Sequence, residues 1–442
     1  MAIKLNNAIL VDLDPLGAAA ATLRIEGESI TDRGPVVRGV DGDEVVDCNG
    51  AVVLPGLVNG HTHLYSALAV GMPPPKTPPR NFMEILRFIW WRLDQALDAE
   101  SIEMSARLGA IEAVRCGTTT LIDHHASPNC IDGSLDLVQR GIADVGPRGV
   151  LCYETTDRHG PPGRDAGLAE NRRFIEKTNA EKSRRFAGLV GAHASFTLED
   201  DSLARVAALA DECDTSVHIH VAEDPCDEAD ARRRNTTLLD RLADNGLLRP
   251  DSIFAHGTHL SSDAIRRVND AGLCLAHNAR SNMSNAVGYA PVPSFTCPVI
   301  LGTDGIGADM LAEAQAAWFI SRHQHAGLAP TDVLHMLANS ARRASSALGI
   351  TLGRLIPQAA ADIIITDYLP ATPVTPSNVA GHILFGLNSR HVRDVLIAGR
   401  WVMRDRRLQN GDEPAVRAAS ATLAADLWQR MQTTPPNEQS SD

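Results

Sequence analysis

The 442-residue sequence predicts an α/β fold, in which a (β/α)₈ barrel carries a small β-sandwich domain formed by both chain ends. In the middle of the chain, short apolar segments that end in polar residues alternate with helical patterns eight times. Eight alternations over about 250 residues match such a barrel. No GxGxxG or GxxxxGKS/T loop follows a predicted strand, which argues against an open, doubly wound sheet.

The two chain ends show the alternation of short β-strands and turns. Residues 1–57 are expected to form the first part of the sandwich, with the strand patterns AIKLNNAILV, ATLRIEGESI and EVVDCNGAVVL. Residues 353–432 are expected to complete it with ADIIITDY, HVRDVLIAGRWVMRD and a C-terminal helix. The polar residues 433–442 predict a disordered tail.

Residues 58–352 are expected to form the barrel, of the TIM type. Its predicted strands lie in VVLPGLVNGHTH, TTTLIDHHASP, GVLCYETTD, FAGLVGAHASFT, TSVHIHVAED, SIFAHGTHL, GLCLAHNARSN and PVILGTDGIG. Helical patterns between them include AESIEMSARLGAIEAVRCG, DSLARVAALADEC, TTLLDRLADNG and SSDAIRRVNDAG. Such barrels place their chemistry at the carboxyl ends of the strands, and six of these eight ends carry histidine.

Composition limits the classes of function. A hydrophobic content of 44% supplies a sizeable core, and a net charge of −13 argues against binding nucleic-acid phosphates. Eight cysteines without a CxxC pair predict reduced thiols in a cytoplasmic protein. We find no signal-peptide pattern and no apolar run of about 18 residues, so no membrane segment is expected.

Histidines at two predicted strand ends suggest a metal site. His61 and His63 end the first strand, and residues two apart on a strand point to the same side. The fifth strand carries His218 and His220, followed by Glu223. A single HxH pair is weak, because buried histidines are more often hydrogen-bonded core residues than ligands.

The sixth and eighth strand ends add His256 and Asp304. Imidazoles combined with a carboxylate suit one divalent metal ion, Zn²⁺ first and Fe²⁺ as the alternative. Asp in a TDG turn is commonly only a turn former. The occurrence of all these groups in this order favours a metal site that leaves a position for water.

Four segments, PGLVNGHTH, HIHVAE, AHGTHL and LGTDG, resemble the amidohydrolase superfamily. The resemblance covers nearly the whole chain. It is to the branch of cytosine, guanine and S-adenosylhomocysteine deaminases and triazine chlorohydrolases. Within that branch, FIWWRLDQAL, TTTLIDHHASPN and HNARSNMSNAVGYAPV are similar to the SsnA-type aminohydrolases.

This resemblance implies a role for each matching residue. Glu223 would be the proton shuttle, His256 a second catalytic residue, and Asp304 both a ligand and an acceptor of the water's proton. The family spacing HxxE selects His220 over His218, which is expected to lie one side-chain layer deeper. The four implied metal ligands are His61, His63, His220 and Asp304.

The lysines exclude one subclass. The sequence has only four, Lys4, Lys76, Lys177 and Lys182, and none falls on a predicted barrel strand. The resemblance implies that two-metal members of the superfamily, such as dihydroorotase, carry a carboxylated lysine on strand four of the barrel. One metal ion is therefore expected, and a cyclic amidase is not.

Several residues are candidates for the substrate pocket. His193 on strand four is expected to contact substrate, and His125 is preferred over its neighbour His124 as the residue of strand two that points inward. Tyr65 is expected to form part of the pocket wall. Asn59 and Gly60 are expected to end the first strand and let the chain turn.

Other residues leave alternatives open. Trp90 and Trp91 lie in a helical pattern that forms either a cover over the site or ordinary packing on the barrel. Arg280 would favour an acidic substrate if it lies near the site, or is otherwise a solvated loop charge. No role is assigned to His277.

The expected function is hydrolytic deamination of an amino-substituted nitrogen heterocycle of purine, pyrimidine or pterin type, with release of ammonia. A chlorohydrolase or another C–N hydrolase acting on a heterocycle is the alternative, because the attacking hydroxide would be the same. A non-catalytic ligand-binding barrel is the third hypothesis. The expected partner is a small heterocyclic substrate, and a homo-oligomer, in particular a dimer, is expected from the resemblance.

Overall fold

A computed structural model of the chain describes residues 2–181 and 183–435. The β-strands, in chain order, are β1 Ile3–Leu13, β2 Leu16–Glu26, β3 Ser29–Gly34, β4 Glu44–Asp47, β5 Val52–Pro55, β6 Leu57–Thr62, β7 Thr118–His125, β8 Arg148–Tyr153, β9 Phe186–Gly188, β10 Val190–Ala194, β11 Val217–Val221, β12 Ile253–His256, β13 Cys274–His277, β14 Val299–Leu301, β15 Ile363–Thr366, β16 Val392–Ile397, β17 Arg400–Arg404 and β18 Arg407–Leu408.

The α-helices connect and cover these strands. In chain order they are α1 Phe82–Ile85, α2 Trp91–Ala96, α3 Ala99–Arg115, α4 Ser134–Val145, α5 Gly160–Glu181, α6 Asp200–Glu212, α7 Cys226–Arg233, α8 Leu238–Asp244, α9 Ser262–Asp270, α10 Ala279–Ser284, α11 Met310–His323, α12 Pro330–Leu348, α13 Val379–Gly381 and α14 Glu413–Thr433. A π-helical turn, Leu86–Trp90, joins α1 to α2.

Strands from both chain ends form one mixed sheet of nine strands in the described residues, in the order β18-β17-β16-β15-β5-β1-β2-β3 with β4 beside β1. The sequence predicted a sandwich of two sheets, whereas this sheet branches at β1. The first half of β1 pairs with β4 and its second half with β5. Between the halves Asn7 takes a left-handed backbone conformation with φ of 53°, so the strand changes partners without splitting the sheet.

The parallel strands form two further sheets, β6-β7-β8-β9 and β10-β11-β12-β13-β14. Each of the eight predicted segments contains a strand of these two sheets, and the fourth contains two because Leu189 interrupts it. Single bridges, Thr62–Asp304 and Thr155–Ala192, link the two sheets at both edges. The architecture is a TIM-barrel-type α/β fold, although the described strands do not form one continuous ladder.

The predicted helices are present close to their expected positions, as α3, α6, α8 and α9. The start of α3 shows the local cause. Asp98 accepts a hydrogen bond from the Ser101 amide at 2.9 Å, and the Ser101 hydroxyl accepts one from the Asp98 amide at 2.9 Å. This reciprocal cap satisfies amides that the first turn leaves unpaired.

The C-terminal helix predicted from the sequence is α14, which begins after the capping residue Asp412. It runs to Thr433, one residue into the segment expected to be disordered, and residues 436–442 of that segment lie outside the described residues. Within the described chain, none of the helices has both the length and the apolar character needed to cross a membrane.

Candidate metal centre and active site

Four side chains converge where the first, fifth and eighth parallel strands end. His61, His63, His220 and Asp304 each offer one ligand atom, and these atoms all lie within 4.8 Å of one another. His63 Nε2 is 3.0 Å from Asp304 Oδ1 and 3.2 Å from His220 Nε2. His61 Nε2 lies 3.7 Å from the same Asp304 oxygen.

Backbone carbonyls orient two of these imidazoles. His63 Nδ1 donates to the carbonyl oxygen of His124 at 2.6 Å, and His220 Nδ1 donates to that of His193 at 2.9 Å. When Nδ1 carries the hydrogen, Nε2 keeps the lone pair that a metal ion needs. Both Nε2 atoms therefore face the same point, 3.2 Å apart.

Another histidine, His218, orients His61. His61 Nδ1 lies 2.8 Å from His218 Nε2, and His61 Nε2 is buried with no hydrogen-bond partner in the described part of the chain. Burial, reinforced by the neighbouring imidazoles, lowers the pKa of His61 well below its usual value, which keeps the ring neutral. A buried, unpartnered nitrogen among two other imidazoles and a carboxylate fits a divalent cation.

Two site residues have strained backbones. Asp304 has φ of 54° and His256 has φ of 78°, a left-handed region that non-glycine residues rarely occupy. The Asp304 amide donates to the His61 carbonyl oxygen at 3.0 Å, which holds the strained residue against β6. Such strain persists at functional sites where the surrounding structure enforces it.

Ser281 is a site residue that the sequence did not suggest. Its Oγ donates to Asp304 Oδ2 at 2.5 Å from the first turns of α10, while Asp304 Oδ1 faces the imidazoles. The carboxylate is thus fixed in one orientation. Nothing in the sequence beyond its place in the segment GLCLAHNARSN pointed to Ser281.

Glu223 and His256 lie beside the ligand cluster. His256 Nε2 is 3.4 Å from Glu223 Oε2 and 3.9 Å from Asp304 Oδ2, and His256 Nδ1 donates to Asn282 Oδ1 at 2.8 Å. Burial, followed by the nearby Asp304 carboxylate, raises the pKa of Glu223 well above its usual value. A carboxyl group in this environment can carry and deliver a proton.

The cluster forms one side of a cavity lined by aromatic side chains. Tyr65, Trp90, Trp91 and Phe196 contribute to its walls, and so does His193. Both tryptophans line the cavity and also pack with Phe82, Leu86 and Val287, so features of both interpretations are present. Tyr65 occupies the wall position expected of it, and His193 reaches the cavity as expected of a substrate contact.

The structure reverses the preference between the adjacent histidines of β7. His124, not His125, points inward, and its ring centroid lies 4.8 Å from that of His220. His125 packs near Tyr65 and Tyr153 and bonds Ser127 Oγ through Nε2 at 2.9 Å, outside the residues that line the cavity.

Arg280 and His277 also lie outside the cavity lining. Arg280 Nε donates to the fully buried carboxylate of Glu313 at 2.6 Å, and its Nη2 donates to the Ile306 carbonyl oxygen at 3.0 Å. Arg280 is therefore neither a charge that faces the substrate nor a solvated loop charge. It forms an ion pair with Glu313 that fixes the loop. His277 is buried beside the Tyr289 ring, with ring centroids 5.8 Å apart.

Glu154 is a second residue that sequence reasoning missed. It follows β8, is buried and lines the cavity, with Oε2 3.2 Å from His124 Nδ1 and Oε1 3.6 Å from His193 Nε2. Its position was visible in the sequence as the first carboxylate after the third barrel strand. A search of all strand ends for carboxylates, rather than for histidines, would have found it.

Asn59 and Gly60 do not end the first barrel strand, which continues to Thr62. Asn59 instead joins the first strand to the eighth. Its Nδ2 donates to Thr303 Oγ1 at 2.6 Å, and its Oδ1 accepts from the Thr303 amide at 3.1 Å.

Comparison with protein families now adds to this geometry. The model of the Amidohydrolase family matches residues 52–402, which is most of the chain. The chain belongs to the amidohydrolase family. The resemblance drawn from the histidine and aspartate motifs is thereby confirmed, and so is the prediction of a hydrolase.

Two curated relatives of this amidohydrolase carry deaminase names. The 5'-deoxyadenosine deaminase of Methanothermobacter thermautotrophicus is 29% identical over 96% of this chain and 99% of its own length. The 5-methylthioadenosine/S-adenosylhomocysteine deaminase of Syntrophomonas wolfei is 30% identical over 87% of this chain and 89% of its own length. The predicted branch of the family is therefore confirmed.

Solved structures agree on the fold. An adenosine deaminase from Xanthomonas campestris, with bound zinc, superimposes with a TM-score of 0.84 at 21% identity, over 98% of both chains. The zinc complex of atrazine chlorohydrolase from Arthrobacter aurescens has a TM-score of 0.79 at 18% identity, over 96% of this chain and all of that one. At these identities the likeness concerns the fold alone.

Proposed function

We propose that this amidohydrolase catalyses the hydrolytic deamination of an amino-substituted nitrogen heterocycle of purine type, with release of ammonia. The observation that carries the proposal is the position of Glu223 and His256 beside the four-ligand cluster, at the inner end of an aromatic-lined cavity. The deaminase names of the relatives support the same reaction.

We propose that His61, His63, His220 and Asp304 hold one divalent cation, Zn²⁺ in preference to Fe²⁺. When bound, such a cation lowers the pKa of a coordinated water toward neutrality and so provides a hydroxide nucleophile. The three imidazoles, among them the neutral ring of His61, and the carboxylate fixed by Ser281 are the groups such an ion requires.

The chain's own groups would move the protons. Asp304 accepts a proton from the attacking water, since its carboxylate faces the ligand cluster. Glu223, protonated at the start, gives its proton to the ring nitrogen, then passes the proton that Asp304 took from the water to the departing amine and regains the proton of the added hydroxyl group as the carbonyl forms. His256 Nε2 lies between these two carboxylates, and with Nδ1–H held by Asn282 it stabilises the charge that develops there.

His193 is proposed to contact the substrate from the cavity wall. His125 is not retained in that role, because its ring lies outside the cavity lining. We further propose that the two parallel sheets act as one closed (β/α)₈ barrel over residues 58–352. Residues 1–57 and 353–432 would form the second domain.

We propose the cytoplasm as the location, because all eight cysteines are free thiols in the structure. A homodimer is proposed from the family resemblance alone. Sedimentation of the purified protein measures that state directly.

The test is a screen of amino-heterocycles for ammonia release by the full-length protein, with metal content measured on the same sample. We expect a stoichiometric divalent metal, and a rate that falls about 10²- to 10⁴-fold in Glu223→Gln at unchanged metal content. Glu103→Gln is the control, since Glu103 pairs with Arg107 and Arg140 away from the cavity.

Two results would reject the proposal. A wild-type protein that binds no metal, with Glu223→Gln unchanged on every compound, would indicate a non-catalytic barrel. Chloride release from chloro-heterocycles, without ammonia release from their amino counterparts, would establish the chlorohydrolase alternative. That alternative is tested because a chlorohydrolase shares the fold.

A further inference from the structure

Two side chains that none of the proposed chemical steps uses meet on one wall of the cavity. Glu154 Oε1 and His193 Nε2 are 3.6 Å apart, too far for a hydrogen bond between them. Both residues are buried and both line the cavity beside the metal ligands. What these two atoms can bind depends on which of them carries a hydrogen.

The protonation of His193 follows from its other neighbour. The Thr197 hydroxyl donates its hydrogen to the Ala194 carbonyl oxygen at 3.0 Å, so it can only accept from the imidazole. His193 Nδ1, 2.8 Å from Thr197 Oγ1, must therefore carry a hydrogen and donate it. In the neutral ring Nε2 then has a lone pair, and it is a hydrogen-bond acceptor.

Glu154 Oε1 is also an acceptor whose lone pairs are available. The nearest guanidinium nitrogen, Arg158 Nη2, is 4.0 Å away and lies 2.7 Å from Asp94 Oδ2. Arg158 also stacks over the Trp91 ring at 4.7 Å, behind the cavity wall. Two acceptors thus lie side by side at the cavity surface, where an N–H group placed between them would satisfy both.

The described side chains that line the cavity include carboxyl groups but no arginine or lysine. Four carboxyl groups line it instead, from Glu154, Glu223, Asp227 and Asp304. A phosphate or carboxylate on a ligand would meet these groups without a side-chain cation to pair with.

We propose that the cavity selects an uncharged amino-heterocycle that carries a second N–H donor, apart from the amine that leaves, and that this donor binds Glu154 Oε1 and His193 Nε2. Ligands that carry a phosphate or a carboxylate are rejected. This inference rests on the deaminase function proposed above and narrows its substrate class. The base of adenosine, whose only N–H donor is the amino group that leaves, lacks that second donor.

Binding to the zinc-loaded, full-length protein tests the proposal without requiring turnover. Quenching of the fluorescence of Trp90 and Trp91 reports occupancy of the cavity. One ligand pair is 2,6-diaminopurine riboside against adenosine, which differ by one amino group and carry no hydrogen at N9. The second pair is adenosine against adenosine 5'-monophosphate, which differ by a phosphate.

In the wild type we expect 2,6-diaminopurine riboside to bind at least about tenfold more tightly than adenosine, because adenosine leaves the buried acceptors without a donor. We expect the monophosphate to bind at least about tenfold more weakly than adenosine, because no arginine or lysine of the described lining pairs with its phosphate. In Glu154→Gln the advantage of 2,6-diaminopurine riboside should fall below about threefold, since a charged acceptor becomes neutral. Glu103→Gln should retain the wild-type ratios.

Equal binding of the two purine ribosides to the wild type would overturn the proposal, whether or not the Glu154 variant folds. Tight binding of the monophosphate would overturn its second part. Ammonia release is followed in parallel on the same ligands. Correct binding ratios without ammonia from any compound would support this selectivity while rejecting the deaminase function, so the two failures are distinguishable.

Discussion

His61 and His218 form a buried pair in which Nδ1 of the first ring lies 2.8 Å from Nε2 of the second, joining the first barrel strand to the fifth. His61 Nε2 faces the ligand cluster, so Nδ1 carries the hydrogen and His218 Nε2 accepts it. His218 thereby sets both the tautomer and the orientation of a proposed metal ligand without touching the ion.

We predict that His218→Ala weakens zinc binding by about 10- to 100-fold, because His61 loses the group that orients it. Competition with a chromophoric chelator measures this affinity directly. His125→Asn is the matched control, because His125 is equally buried but bonds Ser127 rather than a ligand. Unchanged zinc affinity in His218→Ala would show that the pair only fills space.

Arg148 on β8 joins the parallel strands to the nine-stranded sheet. Its Nε and Nη2 lie 2.8 and 3.0 Å from the two carboxylate oxygens of Asp362, and both side chains are buried. Arg148→Ala leaves a buried carboxylate unpaired, so we expect a loss of about 3–5 kcal/mol in the free energy of unfolding.

Urea denaturation measures this loss. Arg140→Ala is the control, because Arg140 pairs with Glu103 at the surface, and it should cost at most about 1 kcal/mol. Similar values for the two variants would mean that the buried pair does not hold the two parts of the fold together.

Gly60 lies where the first and eighth barrel strands approach each other. A Cβ atom at this position would lie 2.7 Å from the Leu301 carbonyl oxygen and 2.9 Å from Ile300 Cδ1. Because a backbone oxygen cannot move aside cheaply, Gly60→Ala should lower the free energy of unfolding by about 1–3 kcal/mol. It should also reduce zinc affinity, since His61 is the next residue.

Gly381→Ala is the control for this prediction, because a Cβ there would meet no atom within 4 Å. Gly381 is helical, so the change should be neutral or stabilising by up to about 1 kcal/mol. Thermal and urea unfolding of both variants give the comparison. A Gly60→Ala protein as stable as Gly381→Ala would contradict the close approach of the two strands.

Asp123 on β7 predicts a pH dependence of stability. Burial raises the pKa of its carboxyl group to about 7, while its Oδ1 accepts from the Leu64 amide at 2.7 Å. An unfolded aspartate has a pKa of about 3.9, so between these values the native state holds a proton that the unfolded state has lost. Stability is then highest below pH of about 4 for this group and falls as the pH rises toward 7.

We expect Asp123→Asn to remove this contribution while keeping an acceptor for the Leu64 amide. The slope of unfolding free energy against pH should become less negative by up to about 1.4 kcal/mol per pH unit between pH of about 5 and 7. Urea unfolding of the zinc-loaded protein across that range measures the slope. An identical slope in wild type and variant would place the native pKa near its usual value.

The residue types and order of the proposed metal site could be predicted before any coordinates. Alternation of strands and helices is a local property of the sequence, and the side-chain period of two predicted that His61 and His63 share a face. The HxxE spacing distinguished His220 from His218, and His218 indeed takes a supporting position beside His61. The shared face needed only short-range geometry, whereas the choice of His220 came from the resemblance to the family.

Contacts between residues far apart in the sequence decided the features of the site that the sequence could not predict. The strand pattern could not show which of His124 and His125 points inward, because β6 and β7 pair with register shifts. Asn59 contacts Thr303, 244 residues away, and Arg280 finds its partner in the buried Glu313. Side chains so distant in sequence leave no periodic signal.

The sequence by itself therefore determined the fold class, the family and the set of candidate ligands. Only the tertiary structure decided that Ser281 orients Asp304 and that no arginine or lysine of the described chain lines the cavity. It also placed Glu154 and His193 side by side as acceptors. The physical reason is that ligand chemistry depends on residue type and local spacing, whereas selectivity depends on how distant segments pack around one cavity.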